Sequence, residues 1–90
     1  MAESEKISAI HHYLNEEFNP CTIEYRYDFG KMAHIFEIRT TRFCTAIIKN
    51  EFLEANSPQA IPAILRKFLL AEHLRECSFP IVVTNSGLTD

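Results

Sequence analysis

Glycine is scarce in this chain, occurring only at Gly30 and Gly87. A loop that cradles phosphate groups needs several closely spaced glycines, so the usual nucleotide-binding fingerprints are excluded. Cysteine is scarce too: Cys21, Cys44 and Cys77 lie far apart, and no C-x-x-C pair occurs. An odd number of separated cysteines favours reduced thiols over a disulfide framework.

The chain also lacks a long apolar run. No stretch approaches the ~18 apolar residues that cross a bilayer. The start of the chain carries acidic residues where a signal peptide carries basic ones. We therefore expect a cytoplasmic protein that does not enter a membrane.

Dense basic segments are missing as well. The net charge is -3, and a mildly basic middle segment is flanked by acidic ones. A polyphosphate partner normally meets a denser basic field, so the composition does not favour nucleic acid. Hydrophobic residues at 47% and charged residues at 23% are typical of a folded globular domain. At this length we expect one α+β domain over residues 1–90, with 85–90 as a frayed tail.

Hydrophobic periodicity predicts a helix followed by a hairpin. The helix covers about residues 4–18, where apolar side chains recur at helical spacing at Ile7, Ile10, Leu14 and Phe18. Residues 21–29 then alternate between apolar and polar side chains, which is typical of a half-buried strand. Gly30-Lys31 predicts a two-residue type II′ turn, whose first position needs a positive φ.

This turn fixes which residues of the two strands face each other. Tyr25 falls opposite Phe36, and Tyr27 falls opposite His34, all on the core side. On the outer side Glu24 falls opposite Glu37, and the diagonal neighbours are Arg26 and Arg39. Opposite charges at diagonal positions of a sheet attract each other, so we expect a solvated cluster of four charges.

The register of a third strand, over about residues 42–49, stays open. Its core side is either Phe43, Thr45 and Ile47 or Cys44, Ala46 and Ile48. In both cases Ile35 and one of the two isoleucines point outward, which predicts a small apolar patch on the charged face.

A second helix is predicted from Pro62 to about Glu76, after a short turn at 58–61. Its buried stripe comprises Ile61, Ile64, Leu65, Phe68, Leu69 and Ala71. Leu70, Leu74 and Cys77 project to the opposite, solvent side. The β-branched run at 81–84 predicts a fourth strand whose partner stays open. The fold class is therefore α+β, in the order α-β-β-β-α-β, with both helices on one face of the sheet.

The order helix, three antiparallel strands, helix is similar to that of double-stranded-RNA-binding domains and of several small chaperone-like modules. The similarity is limited to element order. An RNA module of this kind places lysines at the start of its second helix, and residues 57–62 contain no basic side chain.

No catalytic, metal or cofactor site is expected from the histidines and cysteines. His11 and His12 are adjacent, so on a helix their rings point about 100° apart and cannot share a metal. His34 faces Tyr27 on the core side, where we expect a hydrogen bond to satisfy it. No spacing places a histidine beside a thiol, as a cysteine nucleophile requires.

Three functions are compatible with these observations. The leading hypothesis is a non-enzymatic protein-interaction or regulatory module, self-associating as a homodimer, that uses exposed apolar residues at Ile35, Leu70 and Leu74. The alternative is nucleic-acid binding by a basic strand face comprising Arg26, Arg39, Arg42 and Lys49. The third is a small enzyme with a pocket around His34 and Tyr27.

Overall fold

A computed structural model describes residues 2–76 and 79–89. The elements in chain order are α1 Ala2–Glu17, β1 Thr22–Asp28, β2 Ala33–Arg39, β3 Phe43–Lys49, α2 Asn50–Ala55, α3 Ile61–Lys67, α4 Leu70–Glu76, β4 Ile81–Thr84 and β5 Gly87–Thr89. The strands form one mixed sheet in the order β1-β2-β3-β4-β5. The α+β class is confirmed, although the described ranges contain four helices and five strands, more than the sequence predicted.

The helices pack against one face of the sheet. A single core cluster joins apolar residues of all four helices to alternate residues of β2, β3 and β4: Ile10, Tyr13, Leu14, Phe36, Ile38, Ala46, Ile48, Phe52, Leu53, Ile61, Leu65, Leu70, Leu74, Ile81 and Val83. We call this the inner face. The outer face, formed by the other set of alternate strand residues, contributes nothing to this cluster.

The predicted register of the first hairpin is confirmed. Tyr25 pairs with Phe36, and Tyr27 pairs with His34. The two rings of the first pair lie 5.2 Å apart between centroids. Aromatic and charged side chains of β1 are therefore sorted onto opposite faces, as the alternation indicates.

The predicted type II′ turn is wrong. Four residues, 29–32, connect the strands, and the Met32 amide donates to the Phe29 carbonyl at 3.4 Å. The left-handed backbone falls on Met32, with φ of 51°, whereas Gly30 has no positive φ. A longer loop with the left-handed residue last gives the same strand register as a two-residue turn, which is why the register survives the error.

The structure settles the register of β3. Ile38 pairs with Cys44 and Phe36 with Ala46, so Cys44, Ala46 and Ile48 face inward. Phe43, Thr45 and Ile47 face outward, and Phe43 is 54% exposed.

The predicted second helix is divided into α3 and α4. Leu69 has a φ of 61°, and its amide donates to the Arg66 carbonyl at 3.0 Å, which ends α3. Helix α4 then begins at Leu70 in a new phase. Tyr13 caps it from across the core, because the Ala71 amide donates to the Tyr13 hydroxyl at 3.3 Å.

This break turns Leu70 and Leu74 inward, so their predicted position on the solvent side is wrong. Both are buried, whereas Leu69, predicted to be buried, is 49% exposed. A fully buried leucine contributes about 1.5–3 kcal/mol relative to an exposed one. One left-handed L-residue costs roughly 1–2 kcal/mol. Burial of two leucines therefore outweighs the strain at Leu69.

A substitution at Leu69 tests this strain. Leu69→Gly is expected to be more stable than Leu69→Ala by about 0.5–1 kcal/mol, because both remove the same exposed side chain and only glycine relieves the left-handed backbone. Urea unfolding of the two variants, followed by circular dichroism, measures the difference. An alanine variant that is as stable as the glycine variant would contradict a left-handed residue here.

The C-terminal residues extend the sheet. Strand β4 pairs in parallel with β3, and β5 pairs antiparallel with β4. Gly87, with φ of 127°, adopts a backbone that other residues rarely reach, and the Thr84 hydroxyl donates to its carbonyl at 3.1 Å. The prediction of a frayed tail is wrong for Gly87–Thr89, because Asn85-Ser86 makes a tight turn; Asp90 lies outside the described residues.

Candidate functional site

The three residues predicted to form exposed apolar patches are buried. Leu70 and Leu74 belong to the core. Ile35 lies on the outer face but is only 2% exposed, because its neighbours across the strands, Arg26 and Ile47, flank it on both sides. These residues therefore offer no apolar patch to a partner in this fold. Cys77, predicted beside the two leucines, lies outside the described residues.

The structure separates the residues of the predicted nucleic-acid surface. Arg26, Arg39 and Lys49 lie on the outer face by the strand register. Arg42 lies in the β2–β3 turn, where its guanidinium donates to the Arg75 carbonyl at the end of α4.

The outer face is balanced in charge, as the predicted charge cluster implies. Arg39 lies 3.4 Å from Glu24, and Arg26 lies 3.8 Å from Glu37. Its three cationic strand residues alternate with three anionic ones: Glu24, Asp28 and Glu37. These pairs are largely solvent-exposed and contribute little to stability. They remove the excess positive field that phosphates require.

His34 is enclosed by the tyrosines of β1. A hydrogen bond of 2.7 Å joins its Nδ1 to the Tyr25 hydroxyl, and the Tyr27 ring meets it edge-on at 4.8 Å between centroids. The Asn50 amide nitrogen donates to the Tyr27 hydroxyl at 2.6 Å. His34 is 2% exposed and is packed beneath these rings. The enzyme hypothesis requires this histidine to face a cleft, and it does not.

Three of the six exposed large hydrophobic residues of the described ranges lie instead at the first hairpin, and the other three, Phe43, Leu69 and Phe79, are spread over other elements. Phe29 is 83% exposed, Met32 61% and Tyr25 40%. Tyr27 bridges the two ends of this surface, since its ring also lies 4.7 Å from that of Phe29. We call Tyr25, Tyr27, Phe29 and Met32 the hairpin aromatic surface. Because Tyr25 is so accessible, no described helix covers the inner face of β1 at its middle.

Strand β1 is an edge of the sheet. It pairs with β2 on one side, and no strand of the described ranges pairs with its other side. Its seven residues alternate between the inner-face side chains Ile23, Tyr25 and Tyr27 and the outer-face side chains Thr22, Glu24, Arg26 and Asp28. An exposed edge presents unpaired backbone N–H and C=O groups, which can pair with another strand.

Comparison with known proteins leaves the site to be interpreted from geometry alone. No protein-family model, curated protein or solved structure matches this chain. In the part of the chain that the structure describes, no three or more His, Cys, Asp and Glu side chains are placed to hold a metal ion. Within residues 2–76 and 79–89, no helix combines the length and the apolar character that a bilayer crossing needs.

The sequence contained part of this site. The alternation of β1 and the turn that follows it are visible in the sequence, but this alternation predicts that the side chains of Tyr25 and Tyr27 lie in the core. Only the strand order shows that β1 is an edge and that its inner face extends beyond the helices. The available signal was the local density of aromatic residues, with three in the stretch 25–29.

Proposed function

We propose that this chain is a non-enzymatic protein-interaction module that self-associates through β1. Two copies would align their β1 strands antiparallel about a twofold axis, which joins the two sheets into one. The observation that carries the proposal is the order of charges on this free edge, which is complementary to itself in one register.

The register is centred on Tyr25. In this arrangement Glu24 lies opposite Arg26 of the second copy, and Arg26 lies opposite Glu24. Opposite charges that face each other across a strand pair contribute roughly 0.2–1 kcal/mol each. On the inner face Tyr25 meets its own copy, and Ile23 meets Tyr27. All seven residues of the strand are then paired.

Other registers that keep the two faces apart are less favourable. Centring on Glu24 or on Arg26 places like charges opposite each other, which destabilises a strand pair. A register centred on Tyr27 places Arg26 opposite Asp28, which is attractive, but only three residues of each strand, 26–28, are then paired. Charged side chains normally prevent edge-to-edge association. Here the charged side chains favour one partner and one alignment, because like charges repel each other in another register or against another strand.

The two tyrosines of the hairpin aromatic surface support the same proposal. Aromatic residues and methionine are enriched in protein interfaces, where they bury a large area with few rotatable bonds. Tyr25 and Tyr27 lie within the strand, so pairing of two β1 strands places Tyr25 beside its own copy and Tyr27 beside Ile23 of the second copy. Phe29 and Met32 follow the strand, so their two copies lie at opposite ends of the strand pair. Burial of the tyrosines would add to the backbone pairing.

Sedimentation of the wild-type chain tests the proposal. Between about 1 and 500 µM protein, a range that covers the dissociation constants of ordinary dimers, the average molecular mass is expected to rise from that of one chain toward that of two. Hydrogen exchange at every second amide of β1, those pointing away from β2, is expected to slow over the same range. The mass of a single chain at all concentrations, or a dimer without this protection of β1, would refute it.

A further inference from the structure

A second candidate site lies at the open end of the first hairpin, where β1 begins and β2 ends. A groove of about 800 Å³ runs between the last turn of α1, the start of β1, the β2–β3 turn and the end of α4. Three arginines from separate elements line it, namely Arg39, Arg42 and Arg75, with Glu17 as the single carboxylate among the lining residues that the structure describes.

Two of these arginines are held by backbone carbonyls. Arg75 Nη2 donates to the Glu17 carbonyl at 2.6 Å, and its guanidinium carbon lies 5.0 Å from the Phe18 ring centroid. Arg42 Nη1 donates to the Arg75 carbonyl. These bonds cap the C-terminal ends of α1 and α4. A guanidinium has five N–H donors, so a carbonyl occupies one donor and leaves the charge in place.

The local excess of positive charge is only partly balanced. Arg75 lies 3.3 Å from the Glu17 carboxylate, and Arg39 lies 3.4 Å from Glu24 outside the groove. No carboxylate of the described residues lies within 4.0 Å of Arg42. Helix capping accounts for one bond each of Arg42 and Arg75. The Arg39 side chain belongs to the outer face, where it meets Glu24, so the positive charge of the groove comes from Arg42 and Arg75.

We propose that this groove binds a small molecule that carries a phosphate monoester and an apolar body. The guanidinium groups of Arg42 and Arg75, together with the Glu17 carboxylate, leave an excess of one positive charge, which attracts a phosphomonoester, whose charge is ≈ -1.5 to -2 at pH 7. The planar fork of arginine suits a phosphate group. Thr22, Thr40 and Thr41 belong to the same lining and add neutral polar residues to it.

The rest of the lining suits an apolar body. Phe18, Pro20, Cys21 and Cys44 form this part of the wall. Burial raises the pKa of the Cys44 thiol, so this side chain is neutral at physiological pH and does not repel an anion. The volume falls within the roughly 300–1,000 Å³ of small-molecule sites.

Titration with phenyl phosphate, followed by amide chemical shifts of the wild-type chain, tests this proposal. Shifts are expected at residues 18–22 and 40–44 and not on α3. Phenol, which lacks the charge, and inorganic phosphate, which lacks the ring, are each expected to bind more weakly. Arg42→Gln is expected to weaken phenyl phosphate binding about 10-fold or more, because it removes charge-assisted hydrogen bonds. Arg42→Lys keeps the positive charge and loses the planar fork of arginine, so its affinity for phenyl phosphate should lie between those of the wild type and Arg42→Gln.

Lys67→Gln is the matched control, since it removes one positive charge from an exposed residue that does not line the groove. Its binding should equal that of the wild type. The proposal is overturned if Lys67→Gln loses as much affinity for phenyl phosphate as Arg42→Gln, or if phenol binds as tightly as phenyl phosphate. It is also overturned if no amide shifts at about 10 mM phenyl phosphate, where even weak specific binding saturates. If Arg42→Gln does not fold, the location of the shifts in the wild type decides the outcome.

Discussion

Replacing Leu74 by alanine is expected to lower the free energy of unfolding by about 3 kcal/mol, within the roughly 2–5 kcal/mol of buried leucine truncations. Leu74 is 1% exposed in the core, and its carbonyl accepts a hydrogen bond from the Cys44 thiol at 3.3 Å, which places α4 directly against β3. Truncation there leaves a cavity that neighbouring side chains fill only in part. For a domain whose total stability is of order 5–15 kcal/mol, this is a large fraction.

The matched control is Leu69→Ala, which removes the same atoms from a residue that is 49% exposed. Its effect is expected to stay within about 0.5 kcal/mol. Urea unfolding of both variants, at constant m-value, measures the two changes. A continuous helix over residues 62–76 makes the opposite prediction, since Leu69 would then be buried and Leu74 exposed. A larger loss for Leu69→Ala would therefore contradict the division into α3 and α4.

The first hairpin could be predicted because two independent patterns agree. The alternation of β1 and that of β2 coincide in one register only, and shifting either strand by one residue would bury charges. Glu24 and Glu37 pair as expected, with Arg26 and Arg39 close enough to compensate. The turn type was less constrained, since several loop lengths give the same register.

The break at Leu69 could not be predicted from local propensity. No glycine or proline marks it, and leucine is a strong helix former. The break follows from tertiary packing, because the inner face of the sheet must be covered by Leu70 and Leu74. The same limit applies to Ile35, whose burial depends on neighbours from β1 and β3.

The candidate sites follow from strand order more than from any motif. The charges of β1 were visible in the sequence as one half of a surface cluster. Their alternative use, with a second copy, appears only once β1 is known to be an edge. Likewise Arg42 and Arg75 lie 33 positions apart in the sequence, and only the packing of α4 beside the β2–β3 turn brings them together.

Reversing one charge on β1 is expected to weaken self-association about 30-fold. In the proposed dimer, Arg26→Glu turns both contacts between Glu24 and residue 26 from attraction into repulsion. Each reversal changes the free energy by about 1 kcal/mol, so two contacts change it by about 2 kcal/mol, or roughly 30-fold. Glu24→Arg should act equally. Sedimentation equilibrium measures the dissociation constants, and Lys67→Glu, with the same change of charge on α3, should leave them unchanged.

Combining the two substitutions separates contacts between chains from contacts within a chain. In the double variant, Glu24→Arg with Arg26→Glu, the charges opposite each other in the dimer attract again, so association should return to near the wild-type level. Within one chain the double variant is the worst case, because residue 24 then repels Arg39 and residue 26 repels Glu37. A double variant that associates less than either single variant would mean that the charges act only within the chain.

A mixture of the two single variants gives the strictest test. One chain then carries two acidic residues at positions 24 and 26, and the other carries two basic residues. Every contact between unlike chains is attractive in the register centred on Tyr25, whereas every contact between like chains is repulsive. Native mass spectrometry of an equimolar mixture should therefore show mainly mixed dimers. A statistical mixture, or monomers only, would show that two β1 strands do not meet in this alignment.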